Sequence, residues 1–209
     1  MTSVSTDLVV ATFGDSPGVK RTFVWKVDPV TLQVADFREV SAPALASSGI
    51  YATALAVQIR EDNGIGTIIP GEIFLAATAA VTSGGGTVPW AYIFRLNPDR
   101  VTVHSTIDVV KEAQITSLWS AEGDLYFCGG TTRTFPTGNL TGVAKPGFSP
   151  DYDAFIGKSE GVVNTRRWIA TFNATSPQNN LGYCWADFGR AFMVTSDSAA
   201  FYIVEFKVY

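Results

Sequence analysis

The sequence predicts an all-β chain: a small β-propeller-like array of about four antiparallel blades, each of three or four strands. Three observations predict it. One strand outline returns four times, a second outline follows each copy, and the composition suits strands and turns. Of the 209 residues, 46% are aliphatic or aromatic and only 16% are charged, so the chain is long and apolar enough to bury a substantial core. The 12% aromatic content, with plentiful Thr, Val, Ser, Gly and Ala, is strand-and-turn composition.

The first outline, strand b, reads Asp7-Leu-Val-Val-Ala-Thr, Glu72-Ile-Phe-Leu-Ala-Ala-Thr, Asp124-Leu-Tyr-Phe-Cys-Gly-Gly-Thr and Arg190-Ala-Phe-Met-Val-Thr. A polar lead is followed by large apolar residues, then by small residues and Thr. The second, strand c, reads Phe23-Val-Trp-Lys-Val-Asp-Pro, Tyr92-Ile-Phe-Arg-Leu-Asn-Pro, Phe155-Ile-Gly-Lys-Ser-Glu-Gly and Tyr202-Ile-Val-Glu-Phe-Lys. An aromatic leads and a charge stands fourth, an alternation that places one face on a core and the other in water. Asp-Pro, Asn-Pro and Glu-Gly then supply turn chemistry.

A strand d follows at Thr31–Phe37, Val101–Val109 and Arg166–Asn173, and a strand a precedes the later copies at Tyr51–Val57, Gln114–Trp119 and Leu181–Phe188. From the start of strand c to Val34, Val103 and Trp168 the spacing is 11, 11 and 13 residues, the constancy of a hairpin. The chain thus reads bcd, abcd, abcd, abc. Successive b strands start 65, 52 and 66 residues apart, a period suited to four-stranded blades. One domain over residues 1–209 is expected, with blade-like units at about 6–40, 50–110, 113–173 and 181–209. A β-sandwich whose strands merely resemble one another is the alternative. The segment Lys111-Glu-Ala-Gln-Ile-Thr-Ser-Leu-Trp119 begins like a helix but turns β-branched and aromatic.

Leu125-Tyr-Phe-Cys-Gly-Gly-Thr-Thr-Arg-Thr-Phe-Pro-Thr137, followed by Asp153-Ala-Phe-Ile-Gly-Lys158, resembles the bacterial SBBP-type β-propeller repeat. Repeats of that family carry a "YVTG-T…FPT" segment, a "DAFVAKL" segment, a Trp-containing strand and a Gly-rich return. Trp168 and Gly182 stand at the last two features. The likeness covers residues 124–195; residues 1–123 keep the strand outline without the Phe-Pro and Asp-Ala-Phe words. It implies propeller blades and transfers no catalytic residues.

The candidate chemistry is sparse. His104, the single histidine, shares its strand parity with Thr102, Thr106 and Asp108 and should face outward; no GxSxG elbow accompanies it. Asp151, Asp153 and Glu160 could hold a cation or act as an acid–base pair, but too few oxygen ligands alternate for a calcium loop. Asp153 therefore reads first as a tie at the start of its strand. Asp7, Glu72 and Asp124 recur before strand b, which points to architecture. The run Thr82-Ser-Gly-Gly-Gly-Thr87 lacks the Lys-Ser/Thr of a phosphate loop and reads as a hairpin or surface loop. Cys128 and Cys184 fit no metal-ligand spacing and read as buried free thiols. Sequons stand at Asn139 and Asn173.

Of five tryptophans, Trp25, Trp119 and Trp168 read as core, Trp90 as the exposed one, and Trp185 as flanking an axial channel. Long b–c loops are expected at 13–22, 78–91 and 131–152, with Phe135-Pro136 pinning the last. The candidate ligand- or partner-binding residues are Trp90, Arg133, Phe135, Tyr152, Asp153 and Trp185. No catalytic residue, metal site or cofactor is expected.

The net charge of −4 and the lack of basic clusters argue against a nucleic-acid surface. The first residues form no signal peptide and no segment reaches transmembrane length, so no membrane association is expected. The expectation is a non-enzymatic structural or binding module of an extracellular assembly, with other protein subunits, itself included, as partners. SBBP-like repeats imply an exported surface protein; without an export signal, a bacteriophage virion reconciles the two, as a tail, fibre or capsid-decorating component. The alternatives are a carbohydrate-binding or carbohydrate-cleaving propeller on a bacterial surface, with surface glycans as partners, and a scaffold in the cytoplasm.

Overall fold

The structure is a computed structural model that describes residues 8–16, 18–61, 68–83, 86–97, 101–121, 124–134, 143–144, 152–160, 165–172, 181–187, 189–196 and 200–207. Among these there is no helix. Strands β1 (Leu8–Ser16), β2 (Val19–Val27) and β3 (Val34–Val40) form a first antiparallel meander. β4 (Ala46–Glu61), β5 (Ile68–Ser83), β6 (Gly86–Leu96) and β7 (Val103–Lys111) form a second. β8 (Ala113–Ala121), β9 (Asp124–Thr131), β12 (Asp153–Glu160) and β13 (Thr165–Phe172) form a third. Between β9 and β12 lie two short paired strands, β10 (Arg133–Thr134) and β11 (Val143–Ala144). β14 (Tyr183–Asp187), β15 (Arg190–Ser196) and β16 (Phe201–Lys207) form a fourth meander. A single parallel bridge, Lys20 to Gly49, ties the first meander to the second. No sheet closes on itself among the described residues.

The sheets pack face to face, and strand alternation makes that possible. Along β5, Ile73, Leu75, Ala77, Ala79 and Val81 enter a core shared with Val24 and Val40 of the first sheet, while Phe74 and Ala76 enter one shared with the third. Along β9, Leu125 and Phe127 face the second sheet, and Tyr126 and Cys128 face Cys184, Ala186, Ala191 and Met193 of the fourth. β5 and β9 are therefore continuous apolar runs because both of their faces are covered. Their burial is complete at Phe74, Leu75, Phe127 and Cys128.

Small residues mark the tightest approaches. The ladder between β8 and β9 carries a bulge between Ile115 and Ser117, and a Cβ on Gly129 would lie 1.8 Å from the Gln114 carbonyl oxygen. Gly157 stands on β12 where β6 carries Phe94; the Phe127 ring occupies that space, 2.3 Å from the position of a Cβ.

The first two c–d turns share one construction. Leu32 N–H donates to the Asp28 carbonyl and Val101 N–H to the Asn97 carbonyl, with Leu32 at φ 56° and Val101 at φ 47°. In the first, the Asp28 carboxylate also accepts from Val30 and Thr31 N–H at 2.8 and 3.0 Å, which holds its carboxyl below the usual range.

Two expected loops are instead strand. β1 and β2 stay paired to Ser16 and Val19, and β5 and β6 to Ser83 and Gly86, so 13–16 with 19–22 and 78–83 with 86–91 are ladders. Longer strands satisfy their backbone groups in pairs, which a loop of that length would leave to water.

Candidate functional site

Four of the expected binding residues gather where β9 ends and β12 begins. The link is Glu112, in the one-residue turn between β7 and β8, at φ 55°. Its carbonyl accepts Thr132 N–H and the Thr131 hydroxyl, both at 3.0 Å, and its carboxylate holds Arg133 at 2.9 Å. Lys111, next to it, places its ammonium 4.9 Å from the centre of the Trp90 ring, its register partner across the sheet. Asp153 pairs with Thr131 in the β9–β12 ladder and is buried. Tyr152, half-buried, stands beside it; burial first, and Tyr51 second, raise its phenol above the ordinary range. Tyr51 in turn lies under Lys20, 4.4 Å from its ring centre.

This end of the molecule thus offers two ammonium–aromatic pairs, a guanidinium oriented by a carboxylate, and a buried aspartate. Such a surface can bind through aromatic faces and charge-assisted hydrogen bonds. Glu112 and Lys111 are absent from the sequence-derived set. Their signal was an acid–base pair at the junction of strands d and a, where cations already stand on the neighbouring strands.

Trp185 lies apart from this group. It is on the outward face of the fourth sheet, 37% exposed and stacked on Phe192 at 5.0 Å. Phe135, Asp151 and the two sequons are outside the described residues. Trp90 is half-buried, not exposed, because it packs against the core between the first two sheets. Trp119 is not core: it is 45% exposed, and its indole N–H donates to the Ala186 carbonyl at 2.9 Å. Trp25 is half-buried on the outer face of the first sheet, stacked on Phe37 at 5.1 Å and donating to Thr12. Trp168 packs on the third core and stacks on Phe206.

Asp153 and Glu160 open and close β12, about 23 Å apart at 3.3 Å per residue, and cannot act as a pair. His104 is exposed, its Nδ1 3.5 Å from the Ser105 hydroxyl. The acids that lead strand b have partners on strand c: Glu72 bonds Arg95 at 2.7 Å, and Asp124 bonds Lys158 at 2.6 Å. Among the described residues, no three His, Cys, Asp or Glu side chains form a cluster able to hold a metal ion. A separate cleft of about 430 Å³, lined by Arg38, Glu39, Pro43, Phe94 and Thr106, opens between the first two sheets. No family model matches the chain, and no curated protein is significantly similar to it.

Proposed function

We propose that this protein is a non-catalytic structural and binding module of propeller-like architecture, serving an extracellular assembly, and that the assembly is a bacteriophage virion. The observation that supports it is the ordered stack of four meanders: every internal sheet is covered on both faces, and charged and aromatic side chains are gathered along one side, around Glu112 at the junction of the second and third sheets. Sheets packed on both faces suit such a stack to present a defined surface to another subunit. The genes flanking this one should code for tail or capsid components, and mass spectrometry of purified particles should find the chain in them. A flanking secretion system, or particles that lack the chain, overturns the reading.

The half-exposed indoles of Trp119 and Trp185 favour one second reading, a carbohydrate-binding surface. Trp119 is hydrogen-bonded to the residue that follows Trp185, so both rings lie at the same edge of the fourth sheet. Aromatic faces stack on the apolar faces of sugars. Binding on a glycan array that is lost in Trp185→Ala would favour this reading over the purely structural one.

A further inference from the structure

The three cores are built from the same two halves. On the b-type strands, Leu75, Phe127 and Met193 hold equivalent positions, and each faces the preceding sheet; Phe74 and Tyr126, one residue earlier, face the following one. On the c-type strands, Tyr92, Phe94 and Phe155 face back, while Val24, Ile93 and Ile156 face forward. One packing relation therefore carries the first sheet onto the second, the second onto the third and the third onto the fourth.

The two ends of the stack hold the halves left over. The fourth sheet has a complete forward half, Phe192, Val194 and Ile203, and the first has a complete backward half, Val10, Phe23 and Trp25. Ile203 is 72% exposed, whereas its counterparts Val24, Ile93 and Ile156 are fully buried. Tyr183, Trp185 and Phe201 extend the forward face, and Phe37, 50% exposed, extends the backward one. A stacked array that ends in solvent closes with a polar outer face. Both ends here are aromatic.

We propose that a second copy of this chain covers both faces, the fourth sheet of each copy packing on the first sheet of the other in a closed two-fold ring of eight sheets. The inference rests on the propeller-like reading and deepens it by naming the subunit partner. The contact is heterologous, front on back, and such contacts close into rings when the rotation allows. Two copies of four sheets stay within the four to eight blades of known propellers, and three copies would not. Without Val10 and Val194, eight large apolar side chains meet at each junction. At roughly half of the 150–250 Å² an aromatic can bury, they cover about 800 Å². The two junctions then reach the roughly 1,600 Å² of a standard stable interface. Each face carries both signs of charge, Arg190 and Glu205 on one and Arg21 and Glu39 on the other, so no like-charge field opposes the contact.

Light scattering on the eluting chain tests this. The expected mass is twice that of one chain, and Ile203→Glu and Phe37→Glu should each halve it while circular dichroism and the melting transition show a folded protein. Mixing the two variants should restore a dimer, since one of its two junctions then joins two unaltered faces. A wild-type monomer overturns the proposal, as do open polymers, or a Phe37→Glu variant that remains dimeric while Ile203→Glu does not, the mark of a symmetric contact through the fourth sheet alone. Finding the chain in virions does not depend on these masses, so the two readings fail separately.

Discussion

The thiols of Cys128 and Cys184 meet in the core between the third and fourth sheets, both buried and both free. Burial, then the contact with Cys184, holds the Cys128 thiol well above its usual range. The thiolate is the reactive form, so the native protein should resist a thiol-specific reagent. Labelling should proceed at least about a thousandfold more slowly than for a peptide thiol, at a rate set by unfolding. Two thiols should then react together in denaturant. Fast labelling of one cysteine in the native state would mean that the fourth sheet detaches by itself.

Gly129 and Gly157 are both tight, but against different neighbours. Gly129→Ala would drive a methyl group into the Gln114 carbonyl, which is backbone and cannot turn away. A loss of at least about 3 kcal/mol is expected in denaturant titrations. Gly157→Ala meets the Phe127 ring, a side chain. Its cost should be partly recovered by adding Phe127→Leu, whereas no side-chain change should rescue Gly129→Ala.

The ion pairs that span strands b and c are a device of the stack. Glu72 and Arg95 sit on the face turned toward the third sheet, each with about a fifth of its side chain exposed. A double-mutant cycle with Glu72→Gln and Arg95→Met should give a coupling of about 1–2 kcal/mol, above the usual surface value and weaker in high salt. The fourth sheet has the opposite arrangement, Arg190 leading and Glu205 following. A coupling near zero at Glu72–Arg95 would reduce the pairs to surface decoration.

High pH should destabilise the fold. Burial alone would lower the Lys158 pKa, but hydrogen bonding and charge from Asp124 and Tyr126 outweigh it and raise it. Burial raises Tyr92 and, with Tyr51, Tyr152. For all three the folded value exceeds the unfolded one. Each contribution is thus fully present below the unfolded value, about 10 for Tyr and 10.4 for Lys, and is lost as pH rises through the folded value. Thermal melts should be flat near pH 8 and fall steadily above about pH 10, less steeply in Lys158→Met and Tyr92→Phe. A melting temperature constant to pH 11 would contradict it.

Strand positions were legible because each strand carries its own signal, a polar lead before an apolar run and Asp-Pro or Asn-Pro after it. What neighbours a strand was not. Val24 and Ile203 hold the same place in the same pattern, yet one is buried and the other open, because only one has a following sheet. Trp25 reads as core for the same reason, since no sheet covers its face of the first one. The β9–β12 ladder brings Asp153 to Thr131 and so gathers Arg133 and Tyr152, which local loop reasoning found. Glu112 escaped it, since its partners Thr131, Thr132 and Arg133 stand 19 to 21 residues further on and only the fold brings them to it.

The first two c–d turns give a last prediction, in which equal backbone strain has opposite outcomes. Leu32 and Val101 both adopt a left-handed conformation that costs an L-residue about 1–2 kcal/mol and a glycine almost nothing. Leu32 is 73% exposed, so Leu32→Gly forfeits little packing and should raise stability by up to about 1 kcal/mol, after the extra entropy of an unfolded glycine is subtracted. Val101 is fully buried in the core between the first two sheets, so Val101→Gly loses a whole side chain and should cost about 2 kcal/mol or more despite the relieved strain. Chemical denaturation of the two variants decides it. Parallel shifts would show that strain, or packing, acts alone at these turns.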